Sequence, residues 1–401
     1  MPDRSNLDVF LVACEPSADV LGAELMGALR AMQGSSITFR GLGGPGMSQA
    51  GLVNRGSIDE LTKVGIASVV VNLPTILRRL NETVEMIVAH PPDVLILIDA
   101  PDFTHRVAAR VRSRLPKLPI VKYVSPTVWI WRPGRARAMR RSIDLILALL
   151  PFEPAVHREL GGPACVYVGH PLLTRLRDLR PSANETDMRA ADPPLVLVLP
   201  GSRPSEIRRL SGIFGDTLGR VADRRGIFEA VLPTLPQLAA EIAGLTENWP
   251  VHPLIVTSEA DKCAAFRRAR AALAASGTVT LELALAGVPS VAAYRIPPLE
   301  GFVLRFMARV HPAVGVRSVI LANLVLGDFI VPEYLQNRCT AANLAPALAE
   351  LLGDTPARRR QVEAFHKLEG ILDCGVDTPS TRAARAVLDL LAAHRLREMG
   401  V

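Results

Sequence analysis

The chain has 401 residues, 49% hydrophobic and 21% charged, a globular composition long enough for two domains of ordinary size. The formal net charge of +7 favours phosphorylated substrates and anionic surfaces. Aromatics at 4%, with no basic stretch interleaved with stacking rings, argue against a nucleic-acid groove, and five cysteines never spaced as CxxC read as free thiols in a reducing compartment rather than a disulfide or zinc framework.

From the N-terminus, Leu11-Val12-Ala13-Cys14 mimics a lipoprotein cleavage box, but Asp3 and Asp8 flank an apolar run too short for a signal-peptide core. VFLVAC (9–14) is instead a first strand, and it leads into the helical pattern DVLGAELMGALRAM (19–32). GLGGPG (41–46) satisfies GxGxxG, but Pro45 blocks one amide and Gly51 interrupts the helix that should follow. A glycine-lined loop that lets a substrate approach closely fits better than a dinucleotide site. SVVVNLPTILRRL (68–80) ends in Arg78-Arg79 and fits either a core helix or a membrane-facing one.

VLILI (94–98) is a strand buried on both faces, and it runs into Asp99, Ala100, Pro101 and Asp102. A carboxylate just past a central strand lies at the ligand-binding edge of a parallel sheet, where partial desolvation makes it a useful base. Asp99 takes that role. Asp102 is placed to cap a helix spanning 104–115. PIVKYV (119–124) is the next strand. WIWRPGRARAMRR (129–141) then combines Trp129 and Trp131 with arginines, which suits an anionic headgroup interface, a solvated face or a phosphate site. DLILALL (144–150) and CVYVG (165–169) continue the alternation, and polar, proline-bearing 177–194 reads as a linker.

The β-α pattern restarts at LVLVLPGS (195–202). Gly201 and Ser202 turn tightly before a helix that opens at Pro204, an anion site to which Arg203 adds a bidentate donor. FEAVLP (228–233), HPLIV (252–256), AALAASG (271–277) and PSVAAYR (289–295) follow. After the fourth strand of this half, Ser276, Gly277 and Thr278 form a second phosphate-friendly loop, or a simple helix cap, and Glu282 one turn on can accept ribose hydroxyls. From Ala341 the pattern is helical. No run reaches the ~20 apolar residues of a membrane span, and no cluster has metal-ligand spacing. The expectation is an α/β protein of two Rossmann-like, doubly wound domains facing across a cleft. Residues 1–176 form a first domain that carries the candidate base, 177–194 a linker, and 195–370 a second domain with two phosphate-friendly loops that suggest a diphosphate nucleotide. A helical tail at 371–401 packs back on the first domain.

Several of these stretches occur together, and in this order, in one family. They are EPSADVLGA (15–23), GLGGPGM (41–47), VGI (64–66), IDAPDF (98–103), YVSPTVWIWR (123–132), LPFE (150–153), VGHPL (168–172), LPGSRPSEI (199–207), ASGTVTLE (275–282), YR (294–295), ANLVLG (322–327) and PEYLQ (332–336). The chain resembles lipid-A-disaccharide synthases, inverting glycosyltransferases of the GT-B fold. The resemblance implies transfer of the sugar of UDP-2,3-diacylglucosamine to 2,3-diacylglucosamine 1-phosphate, with UDP released, in lipid A and lipopolysaccharide biosynthesis. It implies Asp99 as general base and Asn323 as a catalytic asparagine. Gly201, Ser202, Arg203, Ser276, Gly277, Thr278 and Glu282 fall on the nucleotide side, and Glu15, Ser17, Asp19 and Gly44 on the acceptor side. No metal or other cofactor is implied, and no nucleic acid. The partners are the two lipid substrates and an anionic membrane surface touched by Arg78, Arg79, Trp129 and Trp131; a homodimer is compatible with it. The location is cytoplasmic, peripheral on the inner membrane. Cys14 and Ala18 replace family glycines, and a positive φ at Ala18 would cost it roughly 1 kcal/mol or more. Ala322 stands where a proline is usual, which loosens that loop. A UDP-sugar 2-epimerase-like isomerase and an inactive lipid-binding homologue are the alternatives.

Overall fold

The computed structural model describes residues 6–55, 73–295 and 317–399; the VGI motif at 64–66 and the start of the 68–80 stretch lie outside them. The chain divides into two units, Met1–Pro171 with Cys374–Val401, and Leu172–Asp373.

The first unit holds β1 (Leu7–Ala13), β2 (Ile37–Leu42), β3 (Val53–Asn54), β4 (Val94–Ile98), β5 (Ile120–Tyr123), β6 (Leu145–Ala148) and β7 (Ala164–Tyr167). They form one parallel sheet in the order β3-β2-β1-β4-β5-β6-β7. β-Branched and leucine side chains make β4 a strand with every residue buried, as a sheet covered on both faces requires. The order reverses between β1 and β4, where Ala13 pairs with Ile98. This switch point brings the chain just beyond β1 beside Asp99. The helix Pro16–Gln33 buries Leu21, Leu25, Met26 and Leu29 on one face of the sheet. The C-terminal helix Pro379–Met399 adds Ala383, Ala384, Val387 and Leu391 to the same core. Each fully buried leucine contributes about 1.5–3 kcal/mol, so the tail is structural to this unit.

The second unit repeats the plan with β8 (Leu195–Leu199), β9 (Glu229–Pro233), β10 (Leu254–Val256), β11 (Ala271–Ala275), β12 (Ser290–Tyr294) and β13 (Glu333–Leu335), ordered β10-β9-β8-β11-β12-β13 and parallel throughout. Its switch point lies between β8 and β11, so the loops at 200–203 and 276–278 emerge side by side.

The stretch 177–194 is not a linker. It carries the helix Ala183–Ala190, started by a capping box of Ser182 and Glu185, and it belongs to the second unit. Leu179 is buried in that unit's core. Arg180 donates to the Leu285 carbonyl (2.8 Å), and Arg189 donates to the carbonyls of Phe266, Arg267, Ala286 and Gly287. The stretch looks polar because its arginines satisfy helix C-terminal carbonyls, a task that sequence periodicity does not reveal.

Candidate active site

Asp99 is the first residue past β4. It and Ala100 both lie in the left-handed region, with φ of 49° and 42°. That conformation costs a non-glycine residue about 1–2 kcal/mol, so two in succession persist only where the surroundings over-determine them. The ties are visible. The Asp99 N–H donates to the Tyr123 carbonyl (3.0 Å), and the Thr104 hydroxyl donates to the Asp99 (2.8 Å) and Ala100 (3.0 Å) carbonyls. Lys122, fully buried on β5, donates to the Asp99 carbonyl and, at 3.0 Å, to Thr104 Oγ1. The half-buried Asp99 carboxylate accepts the Ala100 N–H through Oδ1 (2.8 Å), and Oδ2 has no partner among the described residues. A carboxylate with one open oxygen at the carboxyl edge of the sheet can take a proton.

Lys122 was not singled out from the sequence, although a lysine inside an otherwise apolar strand was the available signal. Burial pulls its ammonium down to about 8, and Asp99, Cys14 and Glu15 oppose the fall. Burial also pushes the Cys14 thiol up to about 12, so that side chain is inert. His105, one turn into the next helix, is pushed down to about 3 by burial, then by Lys122 and Arg135, and stays neutral.

Asp102 does not cap a helix. The helix begins three residues earlier than the apolar period indicated, at Pro101, because proline suits the first turn and Ala100 occupies the cap position. Asp102 projects outward, with its side chain 80% exposed, and pairs with Arg135.

In the first loop Glu15 caps the helix Pro16–Gln33 by backbone conformation only, and Glu15 and Ser17 are exposed. Asp19 is buried, and its carboxylate accepts the N–H groups of Gly44 (2.7 Å), Gly46 (2.8 Å) and Met47 (3.0 Å). A Cβ on Gly44 would lie 2.7 Å from that carboxylate. Gly44 and Gly46 therefore leave room for an internal aspartate, while Gly41 lies against the Leu11 carbonyl and Gly43 against Leu52 and Met47, so the close approaches this loop was expected to offer a substrate are made by the protein's own groups, and Asp19 and Gly44 bond to each other. Ala18 is buried within the helix and is not among the residues of positive φ, so it carries no glycine-type strain.

Trp129 is a core residue. It is 2% exposed and packs edge-on against Phe152 at 5.1 Å, so it cannot touch a membrane. Trp131 is half-buried, with Arg132 over its ring at 5.3 Å. Arg78 and Arg79 lie on the helix Leu73–Ala89, paired with Glu82, while Leu80, Val84 and Ile87 of that helix are buried in the first unit.

In the second unit the turn after β8 leads into the 22-residue helix Pro204–Arg225, and no side chain caps its N-terminus. Gly201 has a φ of 118°, and a Cβ there would meet the Glu206 carboxylate at 2.7 Å. Ser202 is exposed, and Arg203 is 71% exposed with, among the described residues, a single 3.4 Å pairing to Glu206, so its guanidinium is available to an incoming anion. Beside this turn Ser276 donates weakly to the Val319 carbonyl (3.4 Å), Gly277 is the cap of the helix Thr278–Leu285, and Thr278 is exposed. Glu282 is buried and paired with Lys262 (2.7 Å), with Arg175 at 4.0 Å. Glu259 joins both cations from the other side. Any hydroxyl that binds Glu282 must share it with Lys262. Arg175 and Lys262 came from stretches without a motif and were not legible beforehand.

Asn323 is fully buried and saturated. Its amide donates to Ser318 Oγ (3.2 Å) and the Val331 carbonyl (2.9 Å), and its Oδ1 accepts the N–H groups of Ile330 (3.0 Å) and Val331 (2.8 Å). These four bonds use its whole hydrogen-bonding capacity, so its contacts give the expectation of a catalytic asparagine no support. Ala322 is fully buried within the helix Leu321–Leu326. Among the described residues no three His, Cys, Asp or Glu side chains converge as a metal site.

The family model described as lipid-A-disaccharide synthetase matches residues 9–383. A lipid-A-disaccharide synthase from Rhodopseudomonas palustris is 54% identical over 383 residues, 96% of this chain and 96% of that protein. Among solved structures, the glycotransferase of kitacinnamycin superposes with a TM-score of 0.61 at 16% identity, over 96% of this chain and 99% of its own. A UDP-GlcNAc 2-epimerase from Neisseria meningitidis, bound to UDP-GlcNAc, gives 0.56 at 13% identity, again over 96% and 99%. At such identities the structural likenesses show the fold alone, which is of the GT-B type.

Proposed function

The chain belongs to the lipid-A-disaccharide synthase family, and from that premise we propose that it joins UDP-2,3-diacylglucosamine to 2,3-diacylglucosamine 1-phosphate. The acceptor 6-hydroxyl attacks the donor's anomeric carbon, the bond to UDP breaks, and the β-1,6 disaccharide forms with inversion. Asp99 takes the hydroxyl proton. The observation that carries this reading is the position of its half-open carboxylate at the switch point of the first sheet, in a chain matched to this family over nearly its whole length. The epimerase alternative loses its support, because the epimerase shares the fold at 13% identity while the synthase shares 54%. The test is an incubation with the UDP-sugar, with and without the acylated monosaccharide phosphate. Disaccharide and UDP are expected only with acceptor; an epimerised sugar or UDP formed without acceptor overturns the reading.

The diphosphate sits, in this proposal, at the N-terminus of the helix Pro204–Arg225, with Arg203 and the Ser276–Thr278 loop as donors and Glu282 at the ribose. Free N–H groups and the helix dipole favour an anion there. Arg203→Ala is expected to weaken UDP binding by ~1.5–3 kcal/mol, the range for a charge-assisted hydrogen bond. Calorimetry reads this directly, and unchanged affinity in a folded variant removes Arg203 from the site.

Both substrates are acylated, so the enzyme works at a membrane. No helix among the described residues is long and apolar enough to cross one. Attachment to the cytoplasmic face of the inner membrane then falls to basic surface such as Arg78 and Arg79, since Trp129 is withdrawn into the core. Co-sedimentation with anionic vesicles is expected to fall with salt and with Arg78→Glu combined with Arg79→Glu. Equal sedimentation of the double variant moves the attachment surface elsewhere.

A further inference from the structure

We propose that Lys122 is a positioning residue for Asp99: its ammonium, fully buried beneath the turn, holds the Asp99 carbonyl so that the carboxylate stays aimed outward. The inference rests on Asp99 as the base. Burying an ammonium is costly, and a strand surrounded by Val121, Tyr123 and β4 would accept a leucine or isoleucine at this place without that cost. Among the described residues the lysine is held by two acceptors, the Asp99 carbonyl and Thr104 Oγ1, and Thr104 itself donates to the carbonyls of Asp99 and Ala100. Lys122 and Thr104 together therefore grip a backbone that two non-glycine residues of positive φ would otherwise leave.

The charged and titratable groups around Lys122 are few. Asp99 stands at the end of β4, Cys14 and Glu15 stand at the end of β1, and His105 stands on the following helix. Cys14 is protonated and His105 neutral near pH 7, so the cation acts mainly on the two carboxylates.

The full-length enzyme is assayed for turnover with both lipid substrates. Lys122→Met is expected to lower kcat by about 10²-fold, as for a reacting group displaced by an ångström, with KM little changed. Lys122→Arg, which keeps a donor for the Asp99 carbonyl, should recover part of that loss. Thr104→Val, nearly isosteric, removes the bridging hydroxyl and leaves the lysine in place. It should cost about tenfold in kcat with KM little changed, and it keeps the test decisive if Lys122→Met does not fold. UDP affinity serves as the folding control. Wild-type kcat in a folded Lys122→Met, or in Thr104→Val, overturns the inference. Asp99→Asn in the same assay separates the two ideas. If that variant is inactive while Lys122→Met is normal, only the positioning role fails; if Asp99→Asn is active, the base assignment fails.

Discussion

Asp99→Asn is expected to lower turnover by about 10²-fold or more while UDP affinity stays unchanged. An alcohol attacks poorly until a base begins to take its proton, and the amide cannot take it. The substitution keeps size and shape, and the amide oxygen can still accept the Ala100 N–H that Oδ1 accepts at 2.8 Å. Asparagine also tolerates the left-handed conformation found here, so the turn should survive. The nucleotide is assigned to the second unit, which makes UDP binding a control for folding. Asp102→Asn is the matched comparison. Its carboxylate is exposed and pairs with Arg135 at the surface, an interaction of about 0–1 kcal/mol, so turnover should change little. Rates at saturating substrates decide between them. An inactive Asp102→Asn beside an active Asp99→Asn reverses the assignment of the pair, and normal rates in both remove general-base catalysis by either.

Asn323→Ala should produce the largest loss of stability. The alanine strands the Val331 N–H, held by Asn323 Oδ1, takes a donor from the Val331 carbonyl, and leaves the Ile330 N–H with its second acceptor, the Asp328 carbonyl at 3.1 Å. Each buried group left unpaired costs about 1–3 kcal/mol, so a loss of roughly 2–5 kcal/mol is expected in urea unfolding, reduced where the loop relaxes toward water. Activity should fall with the loss of the loop and be partly restored by conditions that stabilise the fold. If stability is untouched while turnover collapses, Asn323 meets the substrate directly and its saturated hydrogen bonding has been misjudged.

The two carboxylates of IDAPDF show where sequence reasoning holds and where it stops. A fully apolar run followed by an acid places Asp99 at the edge of a parallel sheet, and that reading needs only strand periodicity. The same residues mislead about Asp102, because the helix start depends on two residues of positive φ, and nothing in Ala100 announces that conformation. GLGGPG shows a second limit. Its glycines mark close approaches, but at Gly44 the approaching group is Asp19, 25 residues away in the chain, which no local pattern connects to it.

Residue order alone is enough to read the alternation of strands and helices, the two α/β halves, the strand-end positions of Asp99 and Arg203, and the family. These follow from apolar periodicity, proline and glycine placement and motif order, all of them properties of neighbours in the chain. Folding in three dimensions was needed to show that 177–194 belongs to the second unit, that Asn323 and Trp129 are interior, and that Lys122 lies under the candidate base. Each of those depends on which distant backbone carbonyls and N–H groups need a partner once buried. A buried polar group must be paired, but the fold alone determines with what.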